Sequence, residues 1–554
     1  MAKYKTLNLA MCNGKIINQL STTEIHMLKN NAVNYIYYNL AEKKIYIGET
    51  NSFMNRHSQH LGEIYSTYDF KKFSGCVVIY SKIFNKSSIL DIESLLLNYM
   101  IAESNDTKFT FVNGNIGQTK LVYENKEEIL TEVFCPLWKD ELSEFGLVKN
   151  NDIEELKESL LYKYSPFKQL SPKQREISRQ IEKQFNEKYL IEAPAGSGKS
   201  VLFTTLAFAL AEKYPNLKIG VITTGNLINQ FNLIFKSVGL SNRLVVKTGS
   251  QLITEAKEEN KFYDIVIVDE AHKLKKYYTK GHPNSRRHLS LGQNEIQLLE
   301  SISKGLVLLY DSYQGIKPQN ISPSEMKKMT NNYIKLFMKQ QFRIGGGSDI
   351  SGEDFLNGIL YALQLSDETS FDRNVFRSDY FNIVDNFSDV IEYVEEHSHV
   401  YPELQSRLVA GYCREWASNS GKKSNKGTPF DELPYDWDED GIQKRWNSTY
   451  VDWVKKRNSE NEIGSIHAIQ GYDLNYVGVI IGRDITVENG QFVAVPSNYK
   501  DVGGTPLKKE FNLNELSSYI LNIYYVLLSR GIDGCTVFFE DKKVEKLFKA
   551  RIKY

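Results

Sequence analysis

The chain has 554 residues, of which 41% are hydrophobic and 25% charged, with 68 basic residues against 68 acidic ones. That length exceeds one ordinary core and suits a soluble globular protein of about two to four domains. The balanced charge excludes a global electrostatic pull toward nucleic acid, so any such binding must come from local grooves.

Five cysteines (Cys12, Cys76, Cys135, Cys413, Cys535) lie far apart and in no zinc or pairing spacing, as expected in a reducing compartment. The start "MAKYKTLNLAMCNGK" lacks an apolar signal core, and no apolar run approaches the ~18–20 residues that span a bilayer. A cytoplasmic protein without a membrane partner is expected.

In chain order, residues 31 to 118 alternate short β-rich runs (33–38, 44–47 and 76–80) with helical stretches. "YIYY…KIYIG" reads as two strands joined by a polar turn, the second ending at Gly48. The next segment carries Arg56 and His60 at i, i+4, on one face of a helix. "SSILDIESLLLNYMIAES" opens with a Ser88/Asp91 cap pattern and continues as an apolar helix, with Glu93 embedded among Ile92, Leu95, Leu96 and Leu97. "FTFVNGNIGQ" brings Asn113 and Asn115 near a turn. Taken singly, these features read as strand packing, a surface pair and a solvent-facing carboxylate.

A charged, helix-like connector runs from Asn125 to Tyr164, and "SPFKQLSPKQ" punctuates the chain before a new domain. "YLIEA", "KIGVITT", "YDIVIVDEA" and "GLVLLYD" are apolar runs between polar turns and suit central strands of a helix-covered parallel sheet. "RLVAGYC", "NYVGVIIG" and "TVFFED" repeat that signature and predict a second α/β unit from residue 326. Between them a polar stretch, about residues 415 to 460, holds Trp416, Trp437, Trp446 and Trp453. Core packing is the plain reading of those tryptophans, and base stacking the sharper one. "HPNSRRHLS" (282–290) reads as a cationic loop, either solvated or touching phosphates.

"APAGSGKS" follows the strand "YLIE" and opens the helix "VLFTTLAFALAEKY", the setting of a phosphate-binding loop. Ala193, Gly196, Ser197 and Gly198 let backbone N–H groups converge on phosphates at a helix N-terminus. Lys199 would reach the β/γ-phosphates of ATP and Ser200 would bind Mg²⁺. About seventy residues on, "IVIVDEAH" places Asp269 to hold the hydrated magnesium and Glu270 to orient or deprotonate water. Gln174 lies just upstream, where its amide can pair with the adenine edge. Gln314, Arg343, His467, Gln470, Gly471, Asp473 and Arg530 follow in "YDSYQG", "QQFRIGG", "IHAIQGYD" and "LLSRGIDG".

This ordered series, over residues 165 to 554, resembles the superfamily 1 helicases, and within them the Schlafen-like ATPases often found in bacteria. The resemblance implies that Gln314 senses the γ-phosphate and that Arg343 and Arg530 act as arginine fingers. It implies that Gln470 and Gly471 couple ATP to the nucleic-acid groove, with "TTGNLINQF" (223–231) and "VKTGS" (246–250) on a single-stranded backbone.

Residues 31 to 118 resemble the GIY-YIG nucleases. Tyr37 stands at the first tyrosine, Tyr46-Ile47-Gly48 keep the second motif, and Arg56, His60, Glu93 and Asn113 follow in family order. The resemblance implies that Glu93 holds Mg²⁺ or Mn²⁺ and Arg56 neutralises the scissile phosphate. Tyr37, Tyr46 and His60 would then serve the attacking water, with ~10 as the ordinary phenol pKa to overcome.

The expected fold is a small α/β nuclease domain (1–120), a helical connector (121–164), and two RecA-like parallel-sheet domains (165–325 and 326–554). The second of these carries the tryptophan-rich insertion. The expected function is DNA cleavage coupled to an ATP-driven motor in anti-phage defence. The partners are DNA, with RNA left open, and a second copy or a companion defence protein. The rival from another class is an ATPase switch that senses nucleic acid through an inactive N-terminal module.

Overall fold

The computed structural model describes residues 3–62, 68–113, 123–276, 293–345, 350–401, 404–439, 441–450, 453–456, 458–469, 471–501 and 512–554. By contact density the chain divides into two units. Unit one comprises Met1–Lys188, Ser200–Asp269 and Ile302–Val307; unit two comprises Tyr189–Lys199, Glu270–Ser301 and Leu308–Tyr554.

Unit one opens with six strands: β1 (Tyr4–Cys12), β2 (Lys15–Ile16), β3 (Val33–Asn39), β4 (Lys44–Thr50), β5 (Gly75–Ser81) and β6 (Thr110–Phe111). They form one sheet in the order β2-β1-β5-β3-β4-β6. β-Branched and aromatic residues on β3, β4 and β5 favour these pairings. The β3–β4 register sets Tyr37 opposite Tyr46 and Tyr35 opposite Gly48. A Cβ on Gly48 would stand 2.5 Å from the Tyr35 ring, so glycine lets that ring lie across β4. β1, in which Leu7, Leu9 and Met11 alternate with Asn8, Ala10 and Cys12, pairs antiparallel with β5 from Tyr4↔Ser81 to Ala10↔Gly75 and was not among the expected strands.

The helix Lys86–Ala102 starts earlier than the Ser88/Asp91 pattern suggests. Asn85 is its cap: the Asn85 side chain accepts from Ser88 N at 3.0 Å, and Asn85 N donates to Ser88 Oγ at 2.8 Å. Ser88 is thus the third helical residue of a capping box. The connector is helical but broken, with π-turns at Leu130–Phe134 and Leu137–Glu141 between short α-helical pieces.

The second sheet contains β7 (Lys188–Glu192), β8 (Ile219–Ile222), β9 (Val246–Lys247), β10 (Tyr263–Val268), β11 (Ser303–Tyr310) and β12 (Ile334–Phe337). Their order is β12-β7-β11-β10-β8-β9, with β7 and β11 each contributing residues to both units. β12 pairs in parallel with β7 from Ile334↔Tyr189 to Phe337↔Glu192, so the boundary expected at residue 326 does not separate the two RecA-like sheets. Partly exposed edge residues leave "IKLF" without the long apolar run that marks a central strand.

Unit two holds the third sheet, built from β13 (Phe381–Val384), β14 (Ser406–Ala410), β15 (Trp437–Glu439), β16 (Ile442–Trp446), β17 (Glu462–Ser465), β18 (Leu474–Ile481) and β21 (Gly531–Phe539). The order is β13-β21-β18-β14-β17-β16-β15, while β19 (Ile485–Glu488) and β20 (Gln491–Ala494) form a separate hairpin. Trp437, Trp446 and Trp453 are fully buried, so these three are packing residues and not base stackers. Trp453 lies against Gly464, where any side chain would strike its ring at 2.4 Å. Among the described residues no helix is long and apolar enough to cross a membrane.

Candidate functional site

In unit one, β3, β4 and two helices bring together most of the tyrosine-motif residues. Arg56, on the helix Phe53–Gly62, donates to Gln59 Oε1 at 3.2 Å, and its charge acts on the phenols of Tyr35 and Tyr46. The Tyr35 hydroxyl also meets His60 Nε2 at 3.1 Å, and the Tyr46 ring stands edge-on to the His60 ring at 5.1 Å. Burial pushes the Tyr35 phenol up and Tyr46 adds to this, while Arg56 pulls it back. Glu93 comes from the facing helix and is half-buried. Its carboxyl is pushed up to about 8, by burial first and then by Glu49, with Lys86 and Arg56 opposing.

Tyr37, chosen from sequence as the first catalytic tyrosine, belongs to the same aromatic cluster, its ring 5.5 Å from that of Tyr35, 6.4 Å from that of Tyr46 and 6.0 Å from that of His60. It is fully buried, with its hydroxyl 2.7 Å from His57 Nδ1 and its ring among Phe53, Phe70 and Phe73. Tyr35 stands opposite Gly48, and Tyr37 opposite Tyr46. Of the two histidines, His57 is tied to Tyr37 and to the Gly14 carbonyl at 3.0 Å, whereas His60 faces Tyr35 and Tyr46. Asn113 exchanges two hydrogen bonds with the Ile47 backbone, at 3.2 and 2.6 Å, which pins β4. Asn115 lies outside the described residues.

The phosphate-loop turn has Gly196 and Gly198 at φ +71° and +77°, a left-handed backbone that favours glycine. Ala193 N donates to Tyr310 O at 2.9 Å, and Ser197 Oγ to Pro194 O at 2.8 Å. Lys199 Nζ donates to the carbonyls of Ala193 (3.0 Å) and Pro194 (2.9 Å) and lies 3.4 Å from Asp311 Oδ2. Asp311 also accepts from Gln314 Nε2 at 2.9 Å and from Tyr313 N at 3.1 Å. Ser200 Oγ donates to Asp269 Oδ2 at 3.1 Å, the pair expected to share magnesium.

Glu270 ends the apolar strand in a left-handed conformation (φ +56°), with its carboxylate 2.8 Å from His272 Nε2. Burial would raise its pKa, but His272, Lys273 and Lys199 together hold it well below the carboxylate range. Gln174 is buried, and its side chain closes a capping box with Ser171. Arg343 Nε pairs with Asp473 at 2.7 Å, and Arg343 Nη1 donates to Ser529 O at 3.2 Å. Arg530 is buried and donates to Tyr472 O at 3.0 Å. Gly471 has φ +91°, and His467 Nε2 lies 2.9 Å from Asp501. Gln470 and the loop 282–290 lie outside the described residues.

Residues 186–541 match the family described as Schlafen group 3, DNA/RNA helicase domain. The chain belongs to this family. Residues 31–103 match the GIY-YIG catalytic domain. The chain therefore joins a GIY-YIG catalytic domain to a Schlafen group 3 helicase domain, within a mixed α/β fold that has parallel-sheet domains.

An uncharacterised protein of Saccharomyces cerevisiae is 25% identical over 407 residues, 65% of this chain and 83% of its own length. The Candida albicans Pif1 helicase is 14% identical and matches with a TM-score of 0.30, covering 69% of this chain and 99% of that one. The arterivirus nonstructural protein 10 helicase is 9% identical, with a TM-score of 0.29, covering 67% of this chain and 64% of that one. This chain thus spans less than two thirds of the arterivirus protein.

Within the Schlafen group 3 helicase domain, sequence reading placed Asp311 after a strand but gave it no role. Its contact with Lys199 links positions 112 residues apart, which no local pattern reveals. Tyr35 was legible in principle: the Tyr–Gly pairing across a hairpin is a register signal, obscured by three tyrosines within four residues.

Proposed function

We propose that this chain is a nuclease–helicase that cuts DNA in a divalent-metal-dependent reaction and couples the cut to ATP hydrolysis. The reading is supported by one observation: the Tyr35 hydroxyl lies 3.1 Å from His60 Nε2 with the Tyr46 ring against the same histidine, and the charge of Arg56 acts on both Tyr35 and Glu93. Arg56 would neutralise the scissile phosphate, the phenols of Tyr35 and Tyr46 would orient the attacking water, and the His60 imidazole beside them would take its proton. The half-buried Glu93 carboxyl, with oxygen-bearing neighbours, fits a Mg²⁺ or Mn²⁺ ion. Such an ion would stabilise charge on the phosphate and the leaving oxygen. Tyr37 and Asn113 keep supporting roles in the core.

At the motor, Lys199 would leave the Asp311 carboxylate to meet the β/γ-phosphates of ATP. Ser200 and Asp269 would hold Mg²⁺, and Glu270, ionised by its cationic neighbours, would act on the water. Gln314 is poised to report on the γ-phosphate through Asp311. Arg343 and Arg530 remain the candidate arginine fingers, with Gln470 and Gly471 as the coupling segment.

Supercoiled plasmid incubated with Mg²⁺, with and without ATP, tests this. Wild type should nick; Glu93→Gln should not, yet should keep ATP turnover; Lys199→Ala should lose ATP turnover. Nicking that survives Glu93→Gln, or turnover that survives Lys199→Ala, rejects the corresponding assignment. The pairing of the two modules supports a cytoplasmic role in anti-phage defence. In a phage-plating assay, loss of protection with either variant would be expected.

A further inference from the structure

Beside Glu93 lies an ion pair that neither the fold nor the proposed reaction requires. Lys86 Nζ stands 2.5 and 2.6 Å from the two carboxylate oxygens of Glu49. The Lys86 side chain is 55% exposed and that of Glu49 only 15%, and a pair with so exposed a partner adds little to stability. Stability gives little reason to gather these charges. Lys86, Ile89 and Glu93 follow one stripe of the helix Lys86–Ala102 at i, i+3, i+7. Glu49 and Lys86 both act electrostatically on Glu93, so the three charges share one neighbourhood.

A second feature points to the same place. Asn34 stands directly opposite Glu49 in the β3–β4 register, so both side chains leave the same face of the sheet. It is fully buried, and its Nδ2 donates to Ile89 O at 2.7 Å, one turn before Glu93. Its Oδ1, also buried, has no hydrogen-bond partner among the described residues. A buried oxygen left in that state bears its full desolvation penalty unless a cation or donor reaches it. Among the described residues no three His, Cys, Asp or Glu side chains are grouped to hold a metal. Two carboxylates and one neutral amide oxygen, all hard donors, suit Mg²⁺ or Mn²⁺ without such a group.

We propose that Glu49 and the Asn34 amide oxygen complete a divalent-cation site on Glu93, with Lys86 as the resident cation that Glu49 releases when the ion enters. This rests on the nuclease reading of Glu93 and extends it to three residues outside the expected set.

The test is Mn²⁺ alone, without nucleotide or nucleic acid, titrated into full-length protein and followed by electron paramagnetic resonance of the free ion. Asp269→Asn serves as the background, to silence the phosphate-loop carboxylate. Glu93→Gln should abolish the site, Glu49→Gln should weaken it by about tenfold, and Lys86→Met should tighten it several-fold. Glu49 and Lys86 lie toward the surface, so their variants should fold, which circular dichroism checks. Unchanged affinity in Glu49→Gln, with loss in Glu93→Gln, overturns the proposal while the nuclease reading stands. Unchanged affinity in Glu93→Gln overturns both. Equal or weaker binding in Lys86→Met removes Lys86 as the resident cation.

Discussion

Tyr35 and Tyr37 leave the same face of β3, but their hydroxyls reach different partners: His60 for the first, His57 for the second. Tyr35→Phe should therefore lower plasmid nicking by about 10²-fold, and it should also cost ~1–3 kcal/mol in urea unfolding, because the Tyr35–His60 pair is buried. Tyr37→Phe should keep nicking within about threefold but cost ~1–3 kcal/mol in urea unfolding, because the buried His57 nitrogen loses its partner. A second residue-scale consequence comes from Asp484, fully buried and hydrogen-bonded by the Tyr524 hydroxyl. Burial raises its pKa to about 7, with Glu540 adding and Tyr524 opposing. The folded state therefore holds a proton that the unfolded chain has released above about 4. Through this group, stability falls as pH rises from about 4 to about 7, by up to ~1.4 kcal/mol per pH unit, and levels off above that. Asp484→Asn should remove that slope in unfolding curves taken at pH 5, 6, 7 and 8. A slope that persists would assign it to other groups.

The hairpin β3–β4 is the element that builds the nuclease face, and its decisive position carries no side chain. Any Cβ at Gly48 collides with the Tyr35 ring at 2.5 Å, so Gly48→Ala must push that ring away from His60. Nicking should fall by about 10²-fold while ATP turnover stays at the wild-type rate; a variant that still nicks normally would show that the ring's position is not critical. The helix Lys86–Ala102 shows why element ends are hard to read. "NKSSILD" offers Asn85 and Ser88 as rival caps, and the reciprocal Asn85–Ser88 bonds decide in favour of Asn85. That choice adds a turn at the N-terminus and brings Lys86 onto the stripe of Glu93. At β12 the difficulty is composition, since a short edge strand with partly exposed residues has no apolar run to mark it.

At the scale of the molecule, unit one packs the GIY-YIG sheet together with part of the helicase domain. Phe167 lies 6.4 Å from Phe111 of β6 and 5.4 Å from Phe208, while Tyr164 lies 5.3 Å from Phe231. The connector thus ends in a packed aromatic seam and is no loose tether. Phe167→Ala should cost ~3–5 kcal/mol and split the unfolding of unit one into two calorimetric transitions; a single unshifted transition would mean the seam carries no coupling. Sequence alone determined the order of the modules, the phosphate loop and the central strands β7, β8, β10, β11, β14, β18 and β21. Each of these is written in a contiguous run, with apolar residues between turns or Gly198-Lys199-Ser200 at a helix start. Only the tertiary structure decided which tyrosine hydroxyl meets His60, that three tryptophans are core, that Asp311 receives Lys199, and that Asn34 stands over Glu49. A two-residue period tells which face of a strand a side chain leaves by. Its depth and its partners come from register and from segments far away in the chain.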